Sequence, residues 1–164
     1  MPAFHDLLQV RGLKLARAAA LVAAFGLQRR LASAVLPRGR PLRDPQEVAV
    51  FFSGLLRGCA HEEFHVLHLD TRHRVLCSAR VAMGSAEAVL VHPREVFAPG
   101  VRAGAAAFVV AHNHPSGDPT PSPDDVAVTR AMVQAGKLLD VELLDHIVIG
   151  QGRWVSLKER GLGF

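Results

Sequence analysis

Two histidines two residues apart, His112 and His114, stand at the end of an apolar run, AAAFVVAH, and are followed by PSGDPTPSPDD. Alternate residues of a strand point to the same face, so both imidazoles can converge on one point while Asn113 points the other way. Pro115, Pro119, Pro121 and Pro123, four of the ten prolines in the chain, then fall within nine residues. Such a loop has few unfolded conformations to lose and is stiff once folded, as a site needs if it draws ligands from separate elements. Ser122 and Pro123 read as the N-cap and first position of a helix, with Asp124 and Asp125 in its first turn. Asp125 has two readings. It completes a capping box with Ser122, with Asp where Glu or Gln is usual, or it turns inward as a third ligand. Two imidazoles and a carboxylate suit zinc, and three protein ligands leave a fourth position for water.

Three rival readings of these letters fail. His-Asn-His spells the name of a nuclease motif whose residues are dispersed rather than adjacent. H-x-H also opens the metal site of amidohydrolase barrels, but 164 residues are too few for a barrel of about 250. A nucleobase deaminase needs P-C-x-x-C after its first ligand, and the only cysteines are Cys59 and Cys77, both upstream. Two cysteines also exclude a disulfide framework and a thiolate cage. A hydrolase of this kind needs a carboxylate to move protons. Glu62, Glu63, Glu87 and Glu95 are the candidates, and because strand neighbours face opposite ways only one of Glu62 and Glu63 can look into the site.

The elements that must hold these residues are legible in outline. A helix is expected over 13–34, a proline-rich linker over 36–45, and a second helix from Asp44 and Pro45 to Gly58. Short strands are expected at 62–69, 74–81, 88–91, the second half of 105–112, 145–149 and 153–156, with a helix from Ser122 to about 139. That order implies an α/β or α+β domain with a mixed sheet. Apolar residues make up 49% of the chain, enough for a core, and aromatics only 5%, so Ala, Val and Leu must fill it. No uninterrupted apolar stretch reaches the roughly 18 residues of a membrane span, and residues at the start lack signal-peptide character. The expected compartment is the cytoplasm.

Charge is uneven. Residues 1–43 carry eight basic groups (Arg11, Lys14, Arg17, Arg29, Arg30, Arg38, Arg40 and Arg43) against the single acid Asp6, while the rest of the chain carries 11 basic and 14 acidic groups. A solvated helical face or a contact with nucleic acid would each account for this. Among the other histidines, His65 and His68 face opposite sides of a strand, against a second metal cluster. His146 reads as part of a buried pair with Asp145, with a role behind a metal ligand as the alternative. Trp154 reads as core edge.

Residues 62–164 resemble the RadC-type branch of the JAMM (JAB/MPN) metalloprotease-like domains. The strings that carry this are EEFHVLHLD, VHPREVF, AHNHPSGDPTPSPDD, LLDHIVIG and VSLKERG. The resemblance implies a three-layer α/β domain over 44–164 with a mixed sheet, akin to cytidine deaminases, preceded by a basic helical segment over 1–43. It implies zinc held by His112, His114 and Asp125, with Glu62 as general base and then acid, and Ser122 helping to stabilise the tetrahedral intermediate. The reaction implied is hydrolysis of a peptide or isopeptide bond in a peptide-like or protein substrate. Residues 10–30 resemble the end of the helix-hairpin-helix region of such chains, with Gly12-Leu13-Lys14 where Gly-hydrophobic-Gly is usual, which implies at most a weak nucleic-acid contact. Pro99-Gly100 interrupts a helix that normally continues. The alternatives to an enzyme are a DNA-associated protein with a structural or vestigial metal site and a non-catalytic interaction module on the same fold.

Overall fold

Strand alternation divides the core of this protein into two. In β3 (Ala107–Asn113), Ala107, Val109 and Ala111 pack with Val48, Ala49, Phe51, Phe52 and Leu56 of α3 (Pro45–Leu56). Phe108 and Val110 pack on the opposite face with Val96 and Phe97 of α4 (Pro93–Ala103) and Met132 of α5 (Pro123–Leu139). The sheet is therefore the middle of three layers. Every β3 residue is buried, which is why its sequence runs apolar rather than alternating.

The computed structural model describes residues 4–34, 39, 41, 42, 44–56, 58–84 and 91–164, with backbone alone over 28–34. Before the sheet come α1 (Phe4–Leu8), α2 (Leu15–Ala34) and α3; the sheet adds β1 (Glu62–Leu69), β2 (Val75–Gly84), β4 (Glu142–Ile149) and β5 (Trp154–Ser156) to β3, in the order β2-β1-β3-β4-β5. Among the described strands only β3 and β4 pair in parallel, and α5 is the crossover between them. The strand expected at 88–91 lies outside the described residues except for Val91, as do Glu87 and half of the linker over 36–45, Arg38, Arg40 and Arg43 among it. α2 buries Ala18 but leaves Leu15, Leu21, Phe25 and Leu27 exposed.

Two features depart from simple sequence rules. α4 runs through Pro99-Gly100 to Ala103 and is not shortened there. Gly100 is needed because a Cβ at this position would overlap the His68 ring, whose Nε2 donates to the Val96 carbonyl at 2.8 Å. In β4, Phe108 faces Leu143 but Val109 faces Asp145, so Leu144 is the extra residue of a β-bulge. Leu143 packs on the α5 side whereas Ile147 and Ile149 pack on the α3 side, although all are odd-numbered.

Candidate metal centre

His112 and His114 leave the C-terminal end of β3, and Asp125 sits in the first turn of α5. The loop between them is braced at each turn. His114 N–H donates to the Ile149 carbonyl at 2.9 Å, extending the β3–β4 pairing, and Gln151 N–H donates to the Gly117 carbonyl at 2.8 Å. Asp118 Oδ1 accepts from the backbone and hydroxyl of Thr120 at 3.1 and 2.9 Å. These ties hold a proline-stiffened segment in one shape.

The three side chains converge. His112 Nε2 lies 3.0 Å from His114 Nε2 and 3.0 Å from Asp125 Oδ1, and His114 Nε2 lies 3.5 Å from Asp125 Oδ2. Ligands about 2.0–2.2 Å from a tetrahedral zinc ion stand roughly 3.3 Å apart, so the triangle has the size such an ion requires. His114 Nδ1 faces the Asp118 carbonyl at 2.8 Å. A carbonyl only accepts, so Nδ1 carries a proton, and whenever His114 is neutral its Nε2 is the bare nitrogen turned to the centre. Among the described residues, these three are the group of His, Cys, Asp or Glu side chains able to hold a metal ion. Two nitrogens and one carboxylate oxygen fit a borderline divalent cation, and no sulfur ligand is present.

Both readings of Asp125 hold together. Oδ2 accepts from the Ser122 N–H at 2.6 Å and hydroxyl at 2.7 Å, and Asp125 N–H donates to Ser122 Oγ at 3.1 Å, which completes the capping box. Oδ1 is left to face His112. Burial pushes the Asp125 carboxyl up, but the His112 and His114 imidazoles beside it and the Ser122 N–H outweigh it and hold the group well below the usual carboxylate range. His114 is raised above the ordinary imidazole value, first by the Asp125 carboxylate beside it, against burial, with the charge of Glu62 adding to the rise.

That charge marks where Glu62 lies. By alternation it shares the face of Phe64, which stacks on the His112 ring with centroids 5.9 Å apart. Glu63 points to the opposite face, where its carboxylate meets His65 Nε2 at 3.0 Å and Arg80 Nη1 at 3.6 Å. Ser122 is brought to the centre through Asp125. Glu95 pairs with Arg94 on an exposed helix end instead. His65 and His68 face opposite sides as expected, toward Phe52 and Val96.

Asn113 and Thr129 are not singled out as parts of the centre by the spacing, and His146 is placed behind a metal ligand only as the alternative to a buried pair with Asp145. Asn113 turns away from the cation position, but Oδ1 accepts from Glu63 N–H at 2.9 Å and Nδ2 donates to the His61 carbonyl at 3.0 Å. It thereby fixes the start of β1, where Glu62 sits. Thr129, one helical turn after Asp125, contacts both Asp125 and His146, its Oγ1 lying 2.6 Å from the Asp125 carbonyl and 2.7 Å from His146 Nδ1. His146 does not pair with the Asp145 side chain through its imidazole. Only its backbone N–H donates to Asp145 Oδ1, at 2.7 Å, while its ring lies 2.8 Å from His112 Nδ1. Burial pushes His146 well down, so it is neutral at pH 7.

The chain is similar to known proteins over most of its length. It is 48% identical over 158 residues to a UPF0758 protein of Moorella thermoacetica, covering 96% of this chain and 69% of that one. It is 43% identical over 161 residues to a UPF0758 protein of Chloroflexus aurantiacus, covering 98% and 70%. A UPF0758 protein of Methanosarcina mazei is 44% identical over 155 residues, covering 94% and 68%. The family model described as a RadC-like JAB domain matches residues 42–162, from the start of α3 through the metal centre to the end of the last turn, and the chain is a member of that family.

Proposed function

We propose that this protein is a zinc-dependent hydrolase of the JAMM type that cleaves an amide bond in a peptide-like substrate. The observation that carries it is the His112–His114–Asp125 triangle, which offers two nitrogens and one oxygen and leaves a tetrahedral ion one position short. A zinc ion there would polarise the scissile carbonyl and lower the pKa of water toward 7. Glu62, on the same face as His112, takes the proton from the attacking water and delivers it to the leaving amine. Ser122 orients Asp125 through its hydroxyl, and we assign it the contact with the developing oxyanion, for which that hydroxyl would turn from Asp125 to the substrate. A cavity of about 630 Å³ opens beside His114, lined by Ser53, Gly54, Cys59, Gly117 and Trp154, and gives a peptide segment room to lie against the centre. No helix among the described residues is long and apolar enough to cross a membrane.

The test is metal analysis followed by turnover of a panel of fluorogenic peptides and isopeptide-linked peptides. Wild type should bind about one zinc per chain, as three ligands for a single ion imply. Glu62→Gln should keep the zinc and lose hydrolysis, and His114→Ala should lose both. Wild type that carries zinc but cleaves nothing in the panel, or Glu62→Gln with undiminished turnover, counts against the reading.

A weak nucleic-acid contact through residues 1–43 is the second reading. It is favoured by the exposure of Arg11, Lys14 and Arg17. Binding should weaken steeply with salt and vanish when these three are neutralised; a salt slope near zero removes it.

A further inference from the structure

We propose that Thr129 and His146 are positioning residues that fix which nitrogen of His112 is presented to the metal ion. This rests on the metal-holding part of the preceding reading, not on catalysis. The inference follows from counting protons along a buried chain of contacts. The Asp125 main-chain carbonyl has no proton to give, and Thr129 Oγ1 lies 2.6 Å from it. The single hydroxyl proton of Thr129 is therefore committed to that carbonyl. Thr129 Oγ1 also lies 2.7 Å from His146 Nδ1 and can only accept there, so His146 carries its proton on Nδ1. His146 is fully buried, with no carboxylate against its ring, and is neutral. Its Nε2 is therefore bare and accepts from His112 Nδ1, 2.8 Å away. With a proton held on Nδ1, His112 has Nε2 to offer a cation, the atom that lies 3.0 Å from both His114 Nε2 and Asp125 Oδ1.

A second feature of the fold serves the same end. The bulge at Leu144 reverses the alternation of β4, so that His146 turns to the α5 side, where His112 is, rather than toward α3. Phe64 then packs against both rings, stacked on His112 and edge-on to His146 at 5.4 Å between centroids. Thr129, His146 and His112 are all 0% exposed, so water cannot supply a competing proton. The chain begins and ends on one residue: the backbone carbonyl of Asp125 sets the far end and its carboxylate meets the near end. Movement of the first turn of α5 is thus felt by two ligands at once.

The experiment reads proton positions and metal affinity separately. Long-range ¹H–¹⁵N spectra of metal-free wild type should show His146 protonated on Nδ1. Zinc competition against a chromogenic chelator should then show Thr129→Val weakened about 10–100-fold, the usual cost of losing a partner behind a ligand, with the His146 proton shifting to Nε2. Thr129→Ser should restore both. Wild-type His146 protonated on Nε2 overturns the proposal, whether or not any variant folds. So does a Thr129→Val protein that binds zinc as wild type does, or one whose affinity falls with the tautomer unchanged. Wild type that takes up no zinc defeats the preceding reading, while the His146 spectrum still decides the proton chain.

Discussion

Asp125 and Ser122 share one carboxylate oxygen: Oδ2 accepts both the backbone N–H and the hydroxyl of Ser122, at 2.6 and 2.7 Å, and leaves Oδ1 to face His112. The helix cap and the metal ligand are the same side chain. Ser122→Ala should therefore cost about 0.5–2 kcal/mol of stability in urea unfolding, the range for a lost N-cap. It should also weaken zinc binding, because Asp125 loses one of the bonds that orient it. A loss of stability with zinc affinity untouched would show that the backbone N–H alone aims the carboxylate.

The two neighbouring glutamates should separate cleanly. Glu63 is 7% exposed and bonded to His65 and Arg80 on the α3 face. Glu63→Gln should lower stability by about 1–3 kcal/mol, the cost of leaving buried polar partners unsatisfied, and leave zinc content as in wild type. Glu62→Gln should stay within about 0.5 kcal/mol of wild type. Denaturant curves on both variants check the pair, and equal losses would mean that β1 does not present the two carboxylates to different layers.

Asp145 gives a pH dependence of known sign. Burial pushes its carboxyl up, more than the bonds from Ser156, Lys158 and His146 pull it down. The folded state then holds this proton more tightly than the unfolded chain, whose Asp titrates near about 3.9. Stability from this group is fully present below that value and is lost as pH rises through the raised folded value. In Asp145→Asn the contribution is absent. The stability of wild type minus that of the variant should fall as pH rises from about 4, read by urea unfolding at several pH values. A difference that grows with pH would show the accepted hydrogen bonds outweighing burial.

Gly150 ties the ligand loop to the end of β4. A Cβ there would lie 2.5 Å from the Gly117 carbonyl oxygen and 2.7 Å from Pro119 Cδ. Gly150→Ala should cost about 1–3 kcal/mol, as overpacking does, and should lower zinc affinity by displacing His114. Thermal unfolding with and without zinc measures both, and an unshifted melting temperature in each would place the loop farther from β4 than described here.

Much of this centre could be read from spacing. His-x-His at a strand end, the proline run and Ser122 before Asp125 were enough to bring the ligands together, because strand alternation and helix starts are local rules. The choice between Glu62 and Glu63 was not, since it depends on which face of β1 meets α5, a fact of layer order. The bulge at Leu144 left no mark either: counting by twos from Leu143 sends His146 to the wrong side. Thr129 carried a weak signal, four residues after Asp125 and so one turn above it on the helix. α4 continues through Pro99-Gly100, and the space that Gly100 leaves open is filled by the His68 ring, a contact between distant elements that no local preference reports.

The loop from His114 to Pro123 is held by its own prolines and by bonds to Gln151 and Ile149, so its shape does not wait on an ion. Occupancy and folding are then separate variables. A chelator should empty the centre and leave the circular dichroism spectrum unaltered, in contrast to a zinc finger, where removing the metal dismantles the domain. The ion content of such a protein tracks its supply in the surroundings, and a starved molecule can be recharged without passing through refolding.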